Sequence, residues 1–248
     1  MIAMESITMT IPTIEQVIRQ DMKALRECPG AKGGAPGSAC AACEEEICVM
    51  VASVADFPTE YGHFSIIGFV NNRDGKDHIV VVKGEIGDGE GLLLRIHSAC
   101  LTGDAFGSQR CDCGPQLRRA LQLIEAEGRG AVLYHQAEGR GIGLVNKLRA
   151  YALQDGGYDT YDANLALGFK ADERDYAIPA AMLKKIGIKS VRLMTNNPEK
   201  VDELQKHGIV VTERVQHELP TQDHDRAYLQ TKKERFGHFL ELDHSVEK

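Results

Sequence analysis

Ala131-Val-Leu-Tyr-His135 runs into Gln136-Ala-Glu-Gly-Arg-Gly-Ile-Gly143 and then into Leu144-Val-Asn-Lys-Leu-Arg-Ala-Tyr151. An apolar segment of strand length, a glycine-rich turn and a helical pattern follow one another without a break, as in an α/β unit. The alternation extends outward from there. A helical segment at 115–127 comes before the strand 131–135; after it come helical 142–154, helical 175–187, strand 190–195, helical 199–206, strand 209–215 and helical 224–240. Upstream, β-type segments at 49–54, 64–70, 78–84 and 91–97 are separated by turn signals such as Asn72-Arg-Asp-Gly75. The junction near residue 97 has no linker composition, so residues 49–240 read as one unit of α/β class. Ahead of it, Thr13 caps an amphipathic helix over 13–27, and Cys28-Pro-Gly-Ala-Lys-Gly-Gly-Ala-Pro-Gly-Ser38 reads as a linker.

The chain has 248 residues, 29 Lys and Arg against 36 Asp and Glu, a net charge of −7 and 43% hydrophobic residues. At this length a full core forms without disulfides or metals, so a metal would be present for chemistry. Apolar runs such as Ile79 to Val82 fall far short of the roughly 20 residues that span a bilayer. The start carries no basic cluster before Ile7 and no cleavage-site pattern, so no membrane association is expected and the expected compartment is the cytoplasm. An acidic chain is repelled by nucleic-acid phosphates unless its cations gather on one face, which makes nucleic acid a poor expected partner. Seven cysteines, an odd number without an export signal, argue for reactive or metal-bound thiols over a disulfide framework.

Cys100 and Cys111-Asp-Cys113 form a C-x10-C-x-C set after the strand ending near His97. Catalytic zinc sites have three protein ligands and an open position for water, whereas structural sites close with four, so three cysteines fit the open kind. The bland reading is incidental thiols, and a closed site with His97 as fourth ligand stays open. Glu138-Gly-Arg-Gly-Ile-Gly143 offers backbone N–H groups at a helix start, with Arg140 adding charge; the alternative is an ordinary tight turn. Asp172-Glu-Arg-Asp-Tyr176 precedes a helix, where Asp172 is either a cap or a working acid. In Thr195-Asn-Asn-Pro-Glu-Lys200, Pro198 suits a first helical position and Lys200 can reach a phosphate or solvent. Cys40-Ala-Ala-Cys43, with Cys28 and Cys48, lacks zinc-ribbon pairing. Together these features suggest metal-assisted hydrolysis of a phosphorylated substrate, with a phosphate-binding regulatory protein as the alternative.

Arg95-Ile-His-Ser-Ala-Cys-Leu-Thr-Gly-Asp104, Arg110-Cys-Asp-Cys-Gly-Pro-Gln-Leu117, Glu138 to Leu144, Asn146-Lys-Leu-Arg-Ala-Tyr-Ala-Leu-Gln-Asp155, Asp172 to Tyr176 and Leu193 to Lys200 closely resemble GTP cyclohydrolase II. The likeness covers roughly residues 57 to 240. It implies a mixed sheet flanked by helices, with a catalytic domain over 49–248 and an N-terminal extension over 1–48 that is too short for the dihydroxybutanone-phosphate synthase domain often fused to this family. It implies conversion of GTP to 2,5-diamino-6-ribosylamino-4(3H)-pyrimidinone 5′-phosphate, formate and pyrophosphate, the first committed step towards riboflavin. By resemblance Cys100, Cys111 and Cys113 hold zinc, whose water attacks C8 of guanine, and Tyr151 lies near that water. Arg174 matches a position assigned as nucleophile and Asp172 one assigned as proton acceptor. A guanidinium is a poor nucleophile, however, and a natural stabiliser of phosphoryl charge. Arg95, Gln116, Glu138, Arg140, Thr160, Thr195 and Lys200 match GTP-contacting positions. Mg²⁺ would bridge the phosphates, and the family tends to form homodimers.

Two places depart from the family pattern. Ala99 stands where the family usually has an acid beside the first zinc ligand, and Gln136-Ala137 stand where it usually has Arg-Gln. Losing a charge-assisted hydrogen bond costs about 1.5–3 kcal/mol, so substrate affinity or orientation is expected to change by one to two orders of magnitude. The expected protein is an active cyclohydrolase, with a specialised paralogue as one form of it. The alternatives are an enzyme that opens the ring but retains the formyl group, and a catalytically silent GTP-binding protein.

Overall fold

Leu92-Leu-Leu-Arg-Ile-His-Ser98 forms a strand buried along almost its whole length, as befits a segment with a parallel neighbour on each side. A computed structural model describes residues 47–221 and 225–242 together with Asp21. Its strands are β1 (Val49–Thr59), β2 (Gly62–Asn71), β3 (His78–Lys83), β4 (Leu92–Ser98), β5 (Gly130–His135), β6 (Ser190–Met194) and β7 (Val210–Val215). They form one mixed seven-stranded sheet in the order β1-β2-β3-β5-β4-β6-β7. The first three strands and the β3–β5 pair are antiparallel; β5, β4, β6 and β7 run parallel. The α/β class and the mixed sheet are as expected.

The helices are α1 (Leu101–Asp104), α2 (Cys113–Glu127), α3 (Leu144–Asp155), α4 (Thr160–Ala166), α5 (Ala177–Lys185), α6 (Pro198–Lys206) and α7 (Arg226–Phe236). The two-residue period of β4 sends Leu92, Leu94 and Ile96 to one face, where they meet Ile178, Met182 and Leu183 of α5 and Leu204 of α6. Leu93 points to the other face and packs with Ala120 and Ile124 of α2. Each such buried Leu or Ile contributes about 1.5–3 kcal/mol of burial free energy, so helices on both faces hold β4 rigidly.

The boundaries differ from the sequence expectation where local chemistry overrides periodicity. β1 and β2 extend towards each other and leave only Glu60 and Tyr61 as a turn, closed by the Thr59 hydroxyl, which donates to Gly62 O at 2.9 Å. Pro58 is tolerated inside β1 because β1 is an edge strand. Helix α4 was not foreseen. At seven residues it is too short to show amphipathic periodicity, and its signal is the cap Asp159, which accepts from Asp162 N. The last helix stops at Phe236, not near residue 240, because Gly237 takes a left-handed conformation at φ 64°.

The expected helix over 13–27, apart from Asp21, and the linker with Cys28, Cys40 and Cys43 lie outside the described residues. Cys48 is disulfide-bonded, which corrects its reading as a thiol. Among the described residues no helix is long and apolar enough to cross a membrane. Asp21 is buried and accepts from Val51 N at 2.9 Å and Lys185 Nζ at 2.8 Å. Asp21→Ala strands a buried amide, so urea unfolding is expected to show a loss of about 1–3 kcal/mol. An unchanged midpoint would mean that this contact contributes nothing to the fold.

Candidate active site

From β4 the chain moves to β5 on one side, then crosses back to place β6 on the other. The carboxyl end of β4 is therefore a topological switch point, where loops from neighbouring strands part and leave a crevice. A cavity lies there, walled by the segments following β4, β5 and β6 and by α3 and α7. Of the expected catalytic, GTP-contacting and zinc-ligating residues, all line it except Asp172, which stands behind Arg174.

The cysteines converge because two glycines let their loops touch. A Cβ on Gly103 would meet Cys111 Sγ at 2.9 Å and Cys100 Sγ at 3.1 Å, and one on Gly114 would lie 2.2 Å from Gly103 O. Asp104 sets the loop by accepting from Cys100 N at 3.0 Å, Tyr134 Oη at 2.8 Å and His97 Nε2 at 3.0 Å. His97 is thus committed to a carboxylate. The cluster of metal-ligating type found among the described residues is the Cys100, Cys111 and Cys113 triad alone. Cys100 and Cys111 Sγ are 3.7 Å apart, and all three sulfurs lie within 4.8 Å of one another. Tetrahedral zinc with Zn–S bonds of about 2.3 Å needs sulfurs roughly 3.8 Å apart, so the triad fits that ion with a fourth position open.

The three thiols do not ionise together. Hydrogen bonds from Cys111 and Cys113, aided by Lys147 against burial, hold the Cys100 thiol far below its ordinary value. The same contact with Cys100, together with burial, pushes Cys111 up to about 11, and Cys113 is also raised. One thiolate forms readily, and a bound metal cation would take the place of the remaining protons.

Seven Lys and Arg side chains line the cavity, against one carboxylate, that of Glu138. Several have partners behind the wall: Lys232 pairs with Asp112 at 2.7 Å, Arg110 with Asp155, and Arg174 with Asp172 in a two-pronged pair that includes Nε to Oδ1 at 2.8 Å. Arg95, Arg140 and Lys200 have no ion pair among the described residues. Arg95 Nε and Arg140 Nη1 are buried without a hydrogen-bond partner. Lys200 Nζ donates only to Ile96 O, at 2.9 Å. Burial, then Arg95, Arg174 and Lys232, hold Lys200 well below the ordinary lysine value. Unpaired buried donors and mutually repelling cations are what an anion site looks like before its anion arrives.

The glycine-rich loop works differently from the sequence reading. Gly139 N bonds Glu138 Oε1, Gly141 N bonds Ala137 O and Gly143 N bonds Glu138 O, so these amides are spent inside the loop. The loop's donor to the cavity is Arg140, held at a left-handed φ of 61° with its ring-stacked guanidinium 3.8 Å from the Phe236 centroid. Glu138 Oε2 accepts from Leu101 N at 2.6 Å and Oε1 from Lys147 Nζ at 2.8 Å, which ties the loop to the first cysteine. Tyr151 Oη lies 3.3 Å from Thr102 Oγ1, and burial raises its pKa, keeping it a phenol. Arg95 Nη1 donates to Met194 O at 2.8 Å, and its Nη2 to Gln116. Thr160 accepts from Gln154 at 3.4 Å, and Thr195 Oγ1 from Asn197 N at 3.1 Å.

Sequence reasoning missed Lys147, Tyr228, Lys232 and His238, all on the cavity wall. Lys147 had a usable signal: it precedes Tyr151 by four residues and so shares its helix face. Of the two departures from the family pattern, Ala99 lines the cavity, whereas Gln136 is exposed and Ala137 is buried away from it.

A thiol triad of metal-compatible spacing, opening onto a cation-lined crevice at the switch point in the parallel part of a mixed sheet, marks an α/β protein of enzyme type. The chain belongs to the GTP cyclohydrolase II family of hydrolases, whose model matches residues 50–216. Riboflavin biosynthesis protein RibBA of Bacillus mycoides is 57% identical over 185 residues, covering 75% of this chain and 47% of that protein. RibBA of Bacillus cereus is 56% identical with the same coverage. The chain spans about half the length of these curated relatives. Among solved structures, RibBX from A. baumannii, a two-domain 3,4-dihydroxy-2-butanone 4-phosphate synthase, matches with 18% identity and a TM-score of 0.36 over 67% of this chain and 40% of that one. Helix α7, which brings Tyr228 and Lys232 to the cavity, lies beyond the matched span.

Gly103→Ala is expected to push Cys111 Sγ out of the triad. Zinc titration followed by elemental analysis should then give well under one bound ion per chain, while wild-type protein retains one. Full retention would show that the thiols converge without this close approach.

Proposed function

We propose that this chain hydrolyses GTP to 2,5-diamino-6-ribosylamino-4(3H)-pyrimidinone 5′-phosphate, formate and pyrophosphate. In this reading Cys100, Cys111 and Cys113 would hold zinc, Mg²⁺ would accompany the GTP phosphates and offset part of their charge, and a cytoplasmic homodimer built on residues 49–248 serves riboflavin synthesis or a related pathway. The observation that carries it is a single cavity with the thiol triad on its wall and Arg95, Arg140 and Lys200 left without counter-charge. A triphosphate supplies the missing negative charge, and the triad lines the same cavity as the cations that would hold it.

Zinc, when bound, supplies a water acidified to a pKa near 7 for attack on an electrophilic carbon. The chain's own residues do the rest. Lys200, Arg140 and Arg174 bind and orient the phosphates. Burial disfavours charge on both Arg174 and Asp172, yet Tyr176 and the pairing with Asp172 keep Arg174 raised, and the pairing with Arg174 keeps Asp172 lowered, so both stay ionised at neutral pH. That supports Arg174 as a charge stabiliser at the α-phosphorus over a nucleophile, with Asp172 holding its fork in place. Tyr151 Oη, a neutral phenol beside Thr102, can hold a hydrogen bond to the attacking water or the departing formyl oxygen.

Mass spectrometry of the products from zinc-loaded protein with GTP and Mg²⁺, with formate measured in the same sample, tests this reading. Formate in step with the diaminopyrimidine phosphate is expected. A formylated product would establish the ring-opening alternative, and intact GTP the silent binder. Cys111→Ser should lose zinc and turnover together.

The cation cluster has a separate signature. A bound polyphosphate raises the lowered pKa of Lys200, so binding takes up a proton at pH values between the Lys200 pKa of the free protein and that of the complex, and none below that window. Calorimetry of pyrophosphate binding in buffers of different ionisation enthalpy should show uptake growing as pH rises. Lys200→Met should abolish the uptake and weaken binding about 10- to 100-fold.

A further inference from the structure

The ammonium group of Lys147 is fixed at three points: Cys100 Sγ at 3.0 Å, Thr102 Oγ1 at 3.0 Å and Glu138 Oε1 at 2.8 Å. An ammonium has three hydrogens, so each is committed and the nitrogen cannot swing away. Its partner Glu138 is itself pinned by Leu101 N and Gly139 N. Lys232, the other lysine near the triad, reaches Asp112 instead of a sulfur. Lys147 is thus the cation that touches the metal-ligating set directly.

Two consequences follow from this contact. Three thiolates outweigh a dication by one charge, and a cation on one sulfur offsets that excess and weakens its donation to the metal, which leaves the metal a stronger Lewis acid. Lys147 also decides where the Thr102 proton goes. Because Thr102 Oγ1 accepts from Lys147, its one hydrogen is free for Tyr151 Oη at 3.3 Å or Cys100 Sγ at 3.7 Å.

We infer that Lys147 is a positioning residue of the metal centre: through Cys100 Sγ it sets the electron donation of that ligand, and through Thr102 it sets the hydrogen bonding of Tyr151. The inference deepens the cyclohydrolase reading and rests on it for the metal.

The test loads wild-type, Lys147→Met and Lys147→Gln proteins with cobalt(II) and records optical spectra without GTP. The ligand-field bands report whether the four-coordinate site is intact. The thiolate-to-cobalt charge-transfer band reports the donation of the sulfurs. In Lys147→Met this band is expected to move to lower energy while the ligand-field bands persist, because a thiolate relieved of its N–H donor gives up an electron more easily. Lys147→Gln, which keeps an N–H donor but no charge, is expected to lie between the two. In zinc-loaded protein kcat should fall at least tenfold in Lys147→Met, with KM changing less than threefold. An unshifted charge-transfer band in both variants, or a loss confined to KM, overturns the inference. If Lys147→Met loses cobalt altogether, the Lys147→Gln spectrum decides. A wild-type protein that binds cobalt through thiolates yet leaves GTP intact would overturn the cyclohydrolase reading while the spectral comparison still judged Lys147.

Discussion

The constraint that organises this molecule is an excess of buried positive charge at the end of one strand. The chain as a whole is acidic, at −7, yet seven basic side chains and a single carboxylate face one cavity. Charges of one sign do not gather in a low-dielectric crevice unless rigid elements force them together. Here the force comes from β4, buried on both faces, which carries Arg95, and from α6, whose Pro198 start directs Lys200 back across the sheet to Ile96 O. Asp172 and Asp112 neutralise two of the cations from behind, which keeps the assembly foldable without filling the crevice.

The thiol triad is linked to this field by short polar connections. Asp112, between two of the cysteines, joins Lys232 on one side and Gln116 on the other, and Gln116 holds Arg95. Glu138 joins the first cysteine's helix to the loop that carries Arg140. A displacement in either the cysteine loop or the cavity's cations is therefore felt by the other. The proposed reaction, hydrolysis at a ring carbon and cleavage at a phosphate of one ligand, calls for the two ends of the cavity to be held in register, and this network links them.

How much of this was legible in the sequence depended on the range of the interaction. The alternation around Ala131 to Gly143 and the β-type segments upstream of it, 91–97 among them, revealed the α/β architecture, because periodicity is a local property. The C-x10-C-x-C spacing marked the triad for the same reason. Lys232 was not legible: its partner Asp112 is 120 residues away, and no pattern near Tyr228 says that α7 reaches the cysteines. The glycine-rich loop was misread in its donors because spacing shows which amides are free to bond, while only the fold shows that Ala137 O and Glu138 take them. His97 was likewise ambiguous until Asp104 was seen against it.

The same charge accounting changes what Ala99 means. Judged from the sequence, a missing acid beside Cys100 costs a hydrogen bond and so weakens the substrate's hold. In the folded chain Ala99 lines a cavity already short of negative charge, whereas Gln136 and Ala137 do not line it. An alanine there leaves the cation excess undiminished, which favours a polyanionic ligand through its phosphates. What the position gives up is a directional acceptor on the wall next to the triad, the end of the cavity that the proposed reading assigns to the ring of the ligand. Under the proposed GTP reading, Ala99 therefore bears on where the base sits more than on whether the nucleotide binds.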